Sequence, residues 1–249
     1  MRINKLLSRL GIFSRRSADT AIDEGRVYVG EKKAHTGLEV KPGETIYVDG
    51  QPVGGIEDLE RIPPLVIALH KPRGIVCTAS HKDRAPNVVD FVGLSQRVYP
   101  VGRLDKDSEG LILLTNQGDL VNPMMKAQSF HEKEYHVTIA GEVTGDFLQK
   151  MGAGVYLKEL NKTTRPCIVW KSSKHSFGIV LTQGLNRQIR RMCETLGERV
   201  LALKRVRIMN LKLSGLKPGA FRRLSQEEIN QLYRMLGIYE SKRQNQGIS

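Results

Sequence analysis

Cysteine is scarce. The 249 residues hold three, Cys77, Cys167 and Cys193, with no CxxC pair among them. This excludes a zinc knuckle and a disulfide framework, which need paired or regularly spaced thiols, and leaves reduced, buried thiols as the expectation. Long apolar runs are missing too. Nothing approaches the roughly 20 consecutive apolar residues of a spanning helix, and the opening MRINKLLSRLG lacks the extended apolar stretch of a signal peptide. A water-soluble protein of the cytoplasm with no membrane partner is expected. The six histidines, among them His70, His81 and His131, form no HxxH or HExxH pattern, so neither a metal nor a cofactor is expected. Internal repeats and long low-complexity stretches are absent as well. Acidic residues are outnumbered, 26 against 39 Lys and Arg, giving a formal charge of +13 and a pI near 9.8. A field of that sign attracts polyanions, and nucleic acid becomes the leading partner class. The length suits one sizeable core beside a small accessory domain.

The first fifty residues read as a unit of their own. Ile3, Leu6, Leu7 and Leu10 recur at helical spacing before Gly11, and Ser14 is placed to cap a second helix, SRRSADTAIDEG, that ends at Gly25. RVYVG and ETIYVDG follow as short strands separated by the turn-forming KPG. Lys5, Arg9, Arg15 and Arg16 fall in or beside the helices, where their long side chains can reach a phosphate backbone. A merely solvated basic face would have the same composition. VGGIEDLERIPP, residues 53–64, has two glycines, two prolines and mixed charge, and reads as a linker.

Beyond it come strand-like runs, LVIALHK, GIVCTA, GLILLT, EYHVTIA and SFGIVLTQG, with helix candidates at 118–126, 146–153, 186–196 and 225–236. The helices do not alternate one for one with the strands, as parallel βαβ units require. An α+β domain with a mixed, mostly antiparallel sheet is predicted over 65–236, followed by a polar tail, 237–249, with the composition of a disordered segment.

Two segments could carry chemistry. GRLDKDSEGLILL, residues 102–114, places Asp105 in a tight polar stretch between two strands, flanked by Arg103 and Lys106. Those cations favour the ionised carboxylate and could hold phosphates beside it, although an Asp in such a context is also an ordinary turn former. LTQGLNRQIRRMCETLG, residues 181–197, puts Asn186 where a helix cap belongs and Ile189, Met192, Cys193 and Leu196 on one apolar stripe. Arg187, Gln188, Arg190 and Arg191 then crowd the helix start. Cations there are unfavourable unless an anion, a carboxylate or an RNA phosphate, sits with them. Asp105, Asp107 and Glu109 together would suit a metal-dependent nuclease, but no companion acidic or histidine cluster supports it.

In order and spacing, HKPRG (70–74), GRLDKDSEGL (102–111), KEYHV (133–137) and NRQIRRM (186–192) resemble the signature segments of the RsuA-like pseudouridine synthases of ribosomal RNA. Among these the chain is most similar to the RluF-type branch that acts on the large subunit. Residues 1 to about 50, with SRLGIFSRRSAD, resemble the S4-like RNA-binding module first seen in a small-subunit ribosomal protein. The resemblance implies a synthase that flips a uridine out of structured RNA and isomerises it without cofactor, as a monomer, on large-subunit ribosomal RNA. A small-subunit or transfer RNA substrate remains open. It implies Asp105 as catalytic carboxylate, Arg190 as the cation paired with it, and Tyr135 as the ring stacked on the target base. Arg103, Leu104 and Lys106 form one implied RNA-contacting segment, and Leu185, Asn186, Arg187 and Gln188 the other. The rival from another class is a non-catalytic ribosome-assembly clamp of the same fold, which would have no use for a carboxylate facing phosphates.

Overall fold

The computed structural model describes residues 1–78, 85–125 and 130–238. They divide into two compact units, one of Met1–Leu65 with Ser95–Arg97 and Asn116–Gly118, the other of the remainder.

In the first unit, α1 (Ile3–Arg9) and α2 (Arg15–Asp23) precede β1 (Val27–Val29), β2 (Lys32–Lys33), β3 (Ile46–Val48) and β4 (Gln51–Gly54). The strands form an antiparallel sheet in the order β2-β1-β3-β4. Ser14 caps α2 reciprocally with Ser17, satisfying donors that the first turn would otherwise leave bare. Ile3, Leu6 and Leu7 of α1 and Ala18, Ala21 and Ile22 of α2 meet Val27, Ile46 and Val48 in a small core. Residues 53–64, expected as a linker, are folded on this unit. Val53 and Gly54 complete β4, Glu57–Arg61 form a 3-10 turn, and Val53, Ile56 and Leu59 pack on the core. The glycine and the charges that suggested flexibility make side-chain-to-backbone bonds instead, Gly55 N–H to Asp58 Oδ2 at 2.8 Å and Gly43 N–H to Glu57 Oε1 at 2.7 Å.

The second unit is α+β around a nine-stranded sheet. Its strands, in chain order, are β5 (Val66–Lys71), β6 (Tyr99–Val101), β7 (Glu109–Thr115), β8 (Lys133–Ile139), β11 (Ile168–Lys171), β12 (Ser176–Leu181), β13 (Val200–Ile208), β14 (Leu211–Lys212) and β15 (Phe221–Arg223). β9 (Tyr156–Leu157) and β10 (Lys162–Thr163) form a separate hairpin. The helices are α3 (Val88–Val92), α4 (Gly118–Met125), α5 (Gly145–Ala153), α6 (Gln188–Thr195) and α7 (Gln226–Met235). The main path runs β11-β12-β8-β13-β7-β5-β15, and among the described residues every pairing is antiparallel except β13 with β7. Residues 74–78 of GIVCTA do not form the predicted strand, and Ala79 lies outside the described residues. The segment makes a single bridge, Val76 to Asn87, because the chain turns at Gly74, whose φ of 89° is left-handed. Residue 126 of the predicted third helix, residues 239–249 of the tail and His81 lie outside the described residues.

Two apolar clusters fill this unit. One packs α5 and the stripe Ile189, Met192 and Cys193 of α6 against β8 and β12; the other packs α4 and α7 against β5 and β7. Registers across the sheet align one row, Ile179, Tyr135, Arg205, Gly110 and Lys71. Gly110 is the crossing point between the halves. Its φ is 115°, and an added Cβ would fall on the Arg205 backbone. Gly110→Ala should therefore force β7 from β13 and cost about 3 kcal/mol or more, at the severe end for point mutants, read as a lowered denaturant midpoint.

Candidate active site

The segment between β6 and β7 turns tightly, with Ser108 N–H donating to the Asp105 carbonyl at 3.1 Å. Groups from elsewhere in the unit fix its backbone. Arg205 Nη1 of β13 donates to the Arg103 carbonyl at 3.2 Å, and the Leu104 N–H donates to Cys77 Sγ at 3.3 Å. The Lys106 carbonyl accepts the Gly74 N–H at 2.7 Å and Lys71 Nζ at 3.5 Å. Arg190 Nη2 of α6 reaches the Asp107 carbonyl and Ser108 Oγ, each at 3.3 Å, while its Nη1 donates to the Val200 carbonyl at 3.5 Å. Lys71 is fully buried and also donates to the carbonyls of Pro72 and Ile75, both at 2.9 Å. Burial pulls its ammonium below the usual lysine value, with Cys77, Asp105 and Asp107 opposing.

Asp105 is thereby placed on the rim shared by two depressions. One, of about 680 Å³, is a basic groove that includes Arg73, Arg103, Lys106 and Arg187. The other, of about 340 Å³, is the more enclosed, and Asp105 and Leu104 face Tyr135, Lys133 and Arg205 around its wall. Its size lies in the range of small-molecule sites.

The expected Asp105–Arg190 pair is not formed. Arg190 Nη2 meets the carboxylate of Asp107 at 3.4 Å, and among the described residues the cation paired with Asp105 is Arg187, 4.0 Å from Oδ2. Arg190 is committed to the Asp107 carbonyl, the Ser108 hydroxyl and β13, so it positions the loop. Arg187 is free to serve the carboxylates because it lies just ahead of α6 with a left-handed φ of 49°, and it grips Asp107 with both terminal nitrogens at 3.3 Å. Arg187, not Asn186, occupies the cap position; Asn186 accepts instead from Arg191. Arg191, which the sequence left among the cations at the helix start, pairs with Glu159. Burial works against a charged Asp107, but the Arg187 hydrogen bond and the charges of Arg190 and Arg187 outweigh it and hold the carboxyl below its ordinary value.

Arg103 and Lys106 are exposed, as contacts for RNA require, whereas Leu104 is buried in the cavity wall. Gln188 is also buried, its Oε1 accepting the Leu185 N–H at 3.0 Å across the first turn of α6. In the first unit Arg9, Arg15 and Arg16 are exposed and Lys5 is partly so. Sequence reasoning missed Lys71, Cys77, Lys133, Gln183 and Arg205. Lys71 and Lys133 lie inside the quoted segments HKPRG and KEYHV and could have been found there; nothing local marks Cys77 or Arg205. Burial pushes Cys193 up to about 12 and Cys167 up to about 11, so both are protonated near neutrality. Cys193 is buried as expected, while Cys167 is partly exposed. Among the described residues no three His, Cys, Asp or Glu side chains cluster to hold a metal, and no helix is long and apolar enough to cross a membrane.

Asp105 and Tyr135 line one cavity beside a basic groove, an arrangement with the chemistry to act on a polyanion. Residues 65–195 match the family described as RNA pseudouridylate synthase, and residues 1–46 match the S4 domain. The chain belongs to this family of RNA pseudouridine synthases. It is 49% identical over 236 residues to the dual-specificity RNA pseudouridine synthase RluF of Escherichia coli O6:H1, covering 95% of this chain and 79% of that one. It is 36% identical over 239 residues to the ribosomal large subunit pseudouridine synthase B of Bacillus subtilis strain 168, covering 93% and 95%. A crystal structure of a pseudouridylate synthase superposes with a TM-score of 0.67 at 26% identity, covering 93% of this chain and 99% of that one.

Two outcomes check the electrostatics. Arg190→Ala strips the donor from the Asp107 carbonyl and Ser108 hydroxyl; loss of about 1–3 kcal/mol in unfolding free energy and a fall in activity are expected, with Arg190→Lys recovering only part. The folded pKa of Asp107 is depressed, so its contribution to stability is fully present above the ordinary value of 3.8 and fades as pH falls below it. Denaturant midpoints measured down through that window should decline more steeply for the wild type than for Asp107→Asn.

Proposed function

We propose that the protein converts specific uridines of large-subunit ribosomal RNA into pseudouridine, with Asp105 as the catalytic carboxylate. The observation that carries this reading is the enclosed cavity bordered by both Asp105 and Tyr135, opening beside a groove of arginines and lysine. The names of the relatives support the substrate: one acts on the large ribosomal subunit and another has dual specificity, which favours a second RNA target, such as a transfer RNA, here as well.

A uridine stacked in folded RNA must be turned out of its helix before a carboxylate can reach its ribose, at a cost of a few kcal/mol. In this reading the phosphates on either side rest on Arg103, Lys106 and Arg187, and Arg103 fills the gap the base leaves. The base enters the cavity, stacks on Tyr135 and meets Leu104 on the wall. Leu185, Asn186 and the buried Gln188 shape the facing rim. Asp105 then acts on the ribose or the ring as nucleophile or base, with Arg187 4.0 Å from its Oδ2, while Arg190 keeps the loop in register. Lys5, Arg9, Arg15 and Arg16 of the S4 unit add salt-dependent affinity by tethering.

Asp105→Asn keeps the shape of the loop and removes the basic, nucleophilic oxygen. Conversion of large-subunit ribosomal RNA, followed as tritium released from carbon five of the uracil, should fall by about a thousandfold or more, with RNA affinity nearly unchanged. Turnover like that of the wild type would remove Asp105 from the chemistry.

A further inference from the structure

The 340 Å³ cavity that Asp105 lines is also lined by cationic and amide donors that lack partners. Arg205 is 3% exposed; its Nε donates to the Leu111 carbonyl at 2.7 Å and its Nη1 to the Arg103 carbonyl, but Nη2 is buried with no partner. Lys133 precedes Tyr135 by two residues on β8, hence on the same face, and its Nζ has one bond, to the His131 carbonyl at 3.3 Å. Among the described residues neither cation has a carboxylate partner. Gln183, on the same wall, has its side-chain nitrogen buried and unpartnered. His131 also lines the cavity, but burial lowers its pKa and keeps the ring neutral, its Nε2 against the Pro123 carbonyl at 3.1 Å.

A buried Arg205 and a half-buried Lys133 on neighbouring strands of one cavity wall, neither neutralised, are costly, and an electron-rich group in the cavity would recover that cost. The reaction generates such a group. Breaking the bond from N1 to C1′ leaves its electron pair on the base, and the charge of the uracil anion spreads over N1, O2 and O4. As that bond breaks Asp105 bonds to the sugar or takes a proton from it and so spends its own charge, which leaves the cavity wall to meet the charge of the base. The base then rotates, C5 bonds to C1′ as Asp105 gives back the bond or proton it took, the C5 hydrogen leaves as a proton and N1 gains one, so composition is unchanged.

Resting on the synthase reading above, we propose that Lys133 and Arg205, with the Gln183 amide, form an anion hole that receives the negative charge of the detached uracil. They touch the base, not the phosphates, and they act most strongly once the glycosidic bond is breaking. Tyr135, between them in the sheet, holds the plane of the base against which these donors are aimed.

Arg205 also secures the Arg103 carbonyl and the strand, so the discriminating variant is Lys133→Met, which keeps the length of the side chain and removes its charge. Two transcripts of large-subunit ribosomal RNA serve as probes, one made with uridine and one with 4-thiouridine, whose base carries negative charge more readily on sulfur. Single-turnover formation of the carbon-linked nucleoside is read by chromatography after digestion, and RNA binding is measured alongside. Lys133→Met should slow uridine conversion by about a hundredfold and slow 4-thiouridine conversion by a factor on the order of tenfold smaller, with binding little changed and Lys133→Arg recovering most of the rate. If the wild type converts both bases and Lys133→Met slows both equally, or neither, the synthase reading stands and the anion hole is overturned. If the wild type converts neither, the synthase reading falls and takes this inference with it.

Discussion

Three buried or half-buried cations end on the backbone of a single loop. Arg205 from β13, Lys71 from β5 and Arg190 from α6 donate to the carbonyl oxygens of residues 103, 106 and 107, respectively. A carbonyl satisfies a donor without cancelling its charge, so the loop is held firmly and still surrounded by positive potential. Removing Arg205 or Arg190 would leave a bare carbonyl, and removing any of the three would change the field around Asp105. The placement of the carboxylate therefore depends on side chains that never touch it.

The sheet makes that convergence possible. The parallel pairing of β13 against β7 brings the two halves of the second unit together, and Gly110 lets the strands close where Arg205 and Lys71 flank it in register. Tyr135 falls in the same row, on the next strand across. With a side chain at 110, the guanidinium and the tyrosine could not share the wall of one cavity. The sheet thus carries Tyr135 in the same row as Arg205, which anchors the loop that bears Asp105.

Much of this was legible beforehand. The stripe of Ile189, Met192 and Cys193 specified α6 and its buried face, and the order of HKPRG, GRLDKDSEGL, KEYHV and NRQIRRM pointed to the family. The rest was not local. β13 went unread because VLALKRVRI interrupts its apolar residues with lysine and arginines, one of which, Arg205, is buried only because the sheet closes over it. Which arginine would serve Asp105 was decided by a left-handed residue ahead of α6, a backbone state that Arg rarely adopts and that no pattern announces. The stretch 53–64 shows the converse: glycine and charge read as slack chain, yet Asp58 and Glu57 tie it down through backbone donors.

Because the loop is anchored through its main chain, the side chains of Arg103 and Lys106 are exposed and carry none of the anchoring. The two jobs of the segment are separately mutable. Substitutions at 103 and 106 change the charge offered beside Asp105 and leave the main-chain anchors that position it intact.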